Sequence, residues 1–263
     1  MMLLIDSGNS RIKLGIAQEQ ADEGLPQLVT AALDNRDMPG VQTWLSARSE
    51  LLTQAWGVNV AGPEQQQRIE RMLADQGITI RWQRAQIRTG WLRNGYRQPA
   101  QLGADRWASM TGVMARMGQP GKPFILACFG TATTIDIVDD QGLFQGGMIL
   151  PGPALMRHSL STGTADLPLA SADSTLFPAD THAAIATGIA AAQAGAFARQ
   201  CRLALEHYGQ VPAMYACGGG WHDVEAETRR LVADVLPASA GSTDVIEFLS
   251  HPVLDGLAFM ASH

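Results

Sequence analysis

The stretch MLLIDSGNSRIKLGIA, residues 2–17, and its echo FILACFGTATTIDIV, residues 124–138, decide the fold. In the first, an apolar run over 2–5 meets a polar turn at 6–10, after which Ile12, Leu14 and Ile16 alternate with other residues. Period-2 patterning on both sides of a turn predicts a β-hairpin. The second stretch repeats the plan: a strand over 124–127, a turn at Gly130 and Thr131, a strand over 133–138, a polar turn at 139–142 and a third strand over 143–149. Two turns of like design imply two like domains, and the Gly/Pro-rich break at 117–123 is where one would end and the other begin.

Working outward, helical periodicity fits residues 41–48 and 64–76, with strands expected over 55–60 and 78–82. A helix is expected over 102–117. In the second half, the Ala-rich segment 181–208 predicts one long helix and 214–216 a short strand entering the Gly218, Gly219, Gly220 turn. Helices are expected over 221–236 and 245–260. Strands alternating with helices make this an α/β protein, with domains expected at 1–118 and 119–263.

With 46% apolar and 17% charged residues, the chain can bury a substantial core. A net charge of −6 without a basic run disfavours a nucleic-acid partner. The N-terminus lacks a basic leader, and no apolar run approaches the ~18 residues of a membrane span. Three widely spaced cysteines, with no CxxC, point to reduced thiols in a cytoplasmic protein. There is no Walker GxxxxGK[ST], no Rossmann GxGxxG after a strand, no HExxH and no GxSxG.

Three turns carry the chemistry. In Asp6-Ser7-Gly8-Asn9-Ser10, with Lys13 beyond, the glycine permits a tight turn while amides and hydroxyls can face phosphate oxygens. Asp6 could hold magnesium, and Lys13 could meet phosphate charge. Alone, the same turn reads first as an Asx-type hairpin with no ligand. The Cys128 to Asp136 stretch is a second hydroxyl-rich turn at the equivalent point of the second domain. Third, Tyr96 precedes Gly103-Ala104-Asp105-Arg106 at a helix start. There a carboxylate can accept a hydroxyl proton and a guanidinium can bind a carboxylate, although Asp105 could also simply face the helix dipole.

DSGNS, NGYRQPAQLGADR, FGTATTID, GGMILPG, TADLP, DTHAAIATG and CGGG occur in the order and spacing of type III pantothenate kinases, a family that includes the Bvg accessory factors. The chain resembles that family over nearly its whole length. The resemblance implies two RNase H-like domains of the actin-like ATPase (acetate and sugar kinase) superfamily, a homodimer, and phosphorylation of pantothenate by ATP. It implies that Asp6, Ser7, Gly8, Asn9, Ser10, Arg11, Ile12 and Lys13 hold the ATP phosphates with magnesium, helped by Thr131 and Thr133. Gly146, Gly147 and the turn at Gly218 and Gly219 would flank the nucleoside. Tyr96, Gly103, Ala104, Asp105, Arg106 and Thr181 would bind pantothenate, with Asp105 as general base. Many members carry an Asp two residues before the GTA, where it helps hold potassium or ammonium; Cys128 stands there, which puts the cation in question. A regulator without catalysis, or another small-molecule kinase of the superfamily, remains the alternative.

Overall fold

A computed structural model describes residues 1–17, 25–48, 52–237 and 245–263. Within them the chain forms two compact units, Met1–Pro120 together with His251–His263, and Gly121–Ser250.

In the first unit, β1 (Met2–Ser7) and β2 (Arg11–Ala17) make the expected hairpin, with Asp6 opposite Lys13. β3 (Leu28–Asp34) joins β2 antiparallel. No strand is legible there, because its residues are only partly buried and the apolar alternation is weak. After α1 (Met38–Ser46), β4 (Gln54–Asn59) runs parallel to β1; after α2 (Pro63–Ala74), β5 (Thr79–Trp82) runs parallel to β4. Parallel neighbours need a crossover, which the two helices supply. Asp37 caps α1 by accepting from the Gly40 amide at 2.9 Å, and α2 opens on Pro63, whose missing N–H costs nothing at that position. Strand alternation sends Leu3, Ile5, Ile12 and Leu14 to the face covered by Val41, Leu45, Ile69 and Leu73. Asp6 therefore points to the opposite face. A small hairpin, β6 (Arg88–Thr89) and β7 (Leu92–Asn94), and a 3-10 turn at Pro99–Gln101 lead into α3 (Ala104–Met117).

The second unit runs β8 (Phe124–Phe129), β9 (Ala132–Val138), β10 (Leu143–Pro151), α4 (Pro153–Gly163), α5 (Thr181–Tyr208), β11 (Ala213–Cys217), α6 (Trp221–Val235) and β12 (Ile246–Phe248). β8, β9 and β10 pair antiparallel in sequence, β11 lies parallel to β8, and β12 parallel to β11. The order β10-β9-β8-β11-β12 repeats, strand for strand and sense for sense, the order β3-β2-β1-β4-β5 of the first unit. Ile125, Ala127 and Phe129 of β8 bury against Phe197 and Cys201 of α5 and Trp221 and Val224 of α6. Helix α4 is not legible beforehand; it opens on Pro153 immediately after a strand that ends in Pro151.

The C-terminal end departs from expectation. Where one helix is expected over 245–260, β12 pairs with β11 and the chain turns helical only at Pro252, forming α7 (Pro252–Ser262). This helix belongs to the first unit, not the second. It packs on α3 through backbone: a Cβ added at Gly256 would lie 1.8 Å from the Ala108 carbonyl, and one at Gly112 would lie 2.1 Å from that of Pro252. Arg116 of α3 meets the buried Asp255 of α7 at 2.7 Å. No helix among the described residues is long and apolar enough to cross a membrane.

Candidate active site

The first unit assembles its candidate side chains on the sheet face opposite α1 and α2. Asp6, at the end of β1, is 6% exposed, and its carboxylate meets the Lys13 ammonium at 3.2 Å across the hairpin. Cross-strand partners point to the same face, so the register that sets Asp6 opposite Lys13 also makes this ion pair. The turn between them is held by Gly8 donating to the Arg11 carbonyl at 3.0 Å and by Asn35, at the end of β3. The Asn35 side chain donates to the carbonyls of Gly8, at 3.3 Å, and Asn9, and its amide to that of Ser10, at 3.1 Å. Asn35 is invisible to sequence reasoning because the strand that delivers it is. The Ser7 hydroxyl is fully buried and has no protein partner, an arrangement that costs free energy unless something else supplies one.

Asp105 sits in the first turn of α3, on the N-terminal side where partial positive charge favours a carboxylate. Burial nevertheless raises its pKa, the Asp6 charge raises it further, and the amide and guanidinium of Arg106 pull the other way. A carboxylate held above its ordinary range is a better proton acceptor than a solvated one. Arg106 is buried and donates to the Tyr96 hydroxyl at 3.1 Å, with its guanidinium 5.8 Å from that ring's centroid. Tyr96 is itself set by Asn94, whose side-chain oxygen accepts from the Tyr96 amide at 3.0 Å and whose NH2 donates to the carbonyls of Gln86 and Pro99. Gly103 admits this geometry: a Cβ there would come 2.7 Å from the Asp105 carboxylate.

In the second unit, Gly130 donates to the Ala132 carbonyl at 3.1 Å, closing the β8–β9 turn. Thr131 at its tip is exposed, while the hydroxyls of Thr133 and Thr134 are buried with no protein partner. The turn rests on Gly152, whose amide donates to the Thr131 carbonyl at 2.9 Å and which could not carry a side chain, since a Cβ would fall 2.0 Å from the Gly130 carbonyl. The Gly218, Gly219, Gly220 turn is tied to the same strand by the Gly220 amide, 2.9 Å from the Phe129 carbonyl. Gly218, at φ +95, could accept no Cβ against the Phe129 backbone. Gly146, at φ +121, makes the bulge that bends β10.

A family model described as type III pantothenate kinase matches residues 2–203. The chain belongs to the type III pantothenate kinase family. It is 51% identical over 262 residues to the type III pantothenate kinase of Bordetella petrii, covering 100% of this chain and 97% of that protein. To that of Bordetella bronchiseptica it is 49% identical over 263 residues, covering 100% and 98%. The solved glucokinase of an Antarctic psychrotroph, 9% identical, shares the fold at a TM-score of 0.51 over 98% of each chain. The duplicated sheet is thus the actin-like ATPase fold, as expected for a type III pantothenate kinase.

Among the residues singled out for that family, Asp6, Lys13 and Asp105 gather on one face of the first unit, and Tyr96 and Arg106 touch each other. In the second unit the Gly130 and Gly218 turns stand side by side. Asn9, Ser10 and Arg11 are exposed on their hairpin, and Thr181 is exposed as the first residue of α5, whose Asp180 cap accepts from the Ala183 amide at 3.0 Å. No cluster of three or more His, Cys, Asp or Glu suited to a metal occurs among the described residues. Asp6, a buried hard-oxygen donor, fits magnesium shared with phosphates and water. Around Cys128 the cross-strand neighbours are Thr134 and Cys217; one hydroxyl and two thiols do not make the hard-oxygen cage that potassium favours.

Proposed function

We propose that this chain transfers the γ-phosphoryl group of ATP to the primary hydroxyl of pantothenate, giving 4′-phosphopantothenate in the first step of coenzyme A formation, as a cytoplasmic homodimer. Family membership gives the reaction class. The observation that carries the reading is Asp105, raised in pKa at the start of α3 and followed directly by a buried arginine braced on Tyr96.

The roles derive from charge and reach. Phosphoryl transfer asks the protein for position and charge neutralisation more than for covalent chemistry. Asp105 accepts the proton of the attacking hydroxyl, and Arg106 presents its planar fork to the pantothenate carboxylate beside Tyr96, with Gly103 and Ala104 lining the same pocket. Thr181 is a further pantothenate contact. The turn from Asp6 to Lys13 binds the ATP phosphates, where the orphaned Ser7 hydroxyl finds its partner; magnesium held by Asp6 would neutralise phosphate charge. Thr131 and Thr133 add hydroxyls from the second unit, and Gly218 and Gly219 leave room beside the nucleoside.

The test is an ADP-release assay of the full chain with ATP and magnesium, offering pantothenate against a panel of sugars and short carboxylic acids. Turnover with pantothenate alone is the expected result. Preference for a sugar or acetate would move the chain to another activity of the superfamily, and no turnover with any acceptor would favour a regulator.

A further inference from the structure

Two of the three cysteines meet where nothing in the proposed chemistry requires them. Cys128 lies one residue before the end of β8 and Cys217 closes β11, and the parallel register sets them directly opposite each other. Neighbouring strands lie about 4.8 Å apart, inside the Cα separation of roughly 4.4–6.8 Å that a disulfide tolerates. Residues in register on adjacent strands send their side chains to the same face, and the two sulfurs stand 2.8 Å apart without a bond. Cys201 is excluded from this pair: it faces Met214 in the core beneath the sheet, where burial pushes its thiol far above the ordinary range and keeps it inert.

We propose that Cys128 and Cys217 form a modification site, a dithiol that hydroperoxides convert reversibly to a disulfide. Cys128 is the less buried of the two and takes the first step; Cys217 is buried and resolves it. The Cys128 thiolate attacks the peroxide oxygen, the O–O bond breaks, and the alkoxide leaves with a proton as the alcohol, giving a Cys128 sulfenic acid. The Cys217 sulfur then attacks the Cys128 sulfur; the S–S bond forms, the S–O bond breaks, and hydroxide leaves with the Cys217 proton as water. Two thiols have lost two electrons and two protons, and the peroxide has been reduced to alcohol and water. A small dithiol reverses the change by exchange.

The bond has a mechanical consequence because each cysteine runs straight into a turn. Phe129 and Gly130 come directly after Cys128, and Gly218 to Gly220 directly after Cys217. The two turns are already locked by the Gly220 amide on the Phe129 carbonyl and by Gly218 lying flat against the Phe129 backbone. Drawing the sulfurs from 2.8 Å to a bond of about 2.0 Å moves both turns together. This second half rests on the reading of those turns as nucleotide-binding. A displacement of ~1 Å can cost on the order of 100-fold, so a smaller one is expected to raise the KM for ATP about tenfold.

The experiment treats the reduced full chain with a slight excess of tert-butyl hydroperoxide, quenches it, blocks free thiols under denaturing conditions and reads intact mass and tryptic peptides. Blockable thiols should fall from three to one. The peptides carrying Cys128 and Cys217, which have Arg157 and Arg202 between them, should appear joined. Dithiothreitol should restore three thiols. Cys201→Ser should still form the link, and Cys128→Ser and Cys217→Ser should not. Three thiols after treatment, a link through Cys201, or Cys128 over-oxidised beside an intact Cys217 would each overturn the site; the wild-type peptide map decides this even if a variant misfolds. A joined pair with unchanged KM for ATP would overturn the mechanical half. ATP binding to the reduced protein, measured by calorimetry, tests the nucleotide reading separately, since its failure leaves the thiol count untouched.

Discussion

The two units carry the same five-stranded sheet and put different chemistry at the same point of it. In the first, the residue before the end of β1 is Asp6, paired across the hairpin with Lys13; in the second, the residue before the end of β8 is Cys128, opposite Thr134. One hairpin ends in an ion pair between a buried Asp6 and a partly exposed Lys13, the other in a thiol and an uncharged hydroxyl. Topology fixes where a ligand can be approached, while the side chains decide whether that approach is made with charge. On the proposed roles, the lesson is a division of labour, in which the first unit would handle protons and ionic groups and the second would supply neutral hydrogen bonds and close backbone.

The sharpest way to break that division is at Asp105. Asp105→Asn is expected to lower kcat by roughly 100-fold or more with ATP binding nearly unchanged, read by steady-state kinetics and calorimetry. Near-normal turnover would remove the proton from the first unit's tasks. Because the native pKa lies above the ordinary value, ionised Asp105 opposes folding at pH 7, and that cost is relieved as pH falls through the raised pKa. The same variant is therefore expected to melt no lower than wild type at pH 7. In Asp6→Asn, which removes a charge that raises Asp105, the acid limb of kcat/KM should move to lower pH.

Next in size is the ionic contact. Arg106→Ala should raise the KM for pantothenate by the loss of a charge-assisted hydrogen bond, about 1.5–3 kcal/mol, and should matter much less for pantothenol, which has no carboxylate. Equal losses for the two compounds would assign Arg106 to bracing Tyr96 alone. The smallest effect is expected in the second unit. Thr133→Val deletes a buried hydroxyl that has no protein partner, so it should leave the melting temperature unchanged or slightly raised while increasing the KM for ATP by the few-fold that a neutral hydrogen bond of ~0.5–1.5 kcal/mol represents. A loss as large as that of Asp105→Asn would show that the second unit does more than supply neutral contacts.

Much of this was legible in the sequence, for reasons that separate by range. The two hairpins were readable because both strands and the turn of each lie within a dozen or so residues and alternate cleanly. α5 was readable from its alanines. The adjacency of Asp105 and Arg106 made the third turn readable as two tools side by side. What escaped depends on pairing at a distance. β3 shows itself only beside β2, and with it Asn35 as the clamp on the β1–β2 turn. β12 looked like the start of a helix because three residues of strand acquire meaning only against β11. The Cys128–Cys217 contact joins positions 89 apart in sequence, and no local pattern announces it.

The return of α7 to the first unit reverses an order that synthesis would otherwise impose. Domains ordinarily complete themselves in the sequence in which a ribosome delivers them. Here the helix that seats Gly256 against Ala108 is delivered after every residue of the second unit. The unit that begins the chain must keep one side of α3 uncovered while its neighbour is made and can finish folding. A released chain ending at residue 250 would thus hold a complete second sheet, with the buried face of α3, the helix that carries Asp105, still waiting for its cover.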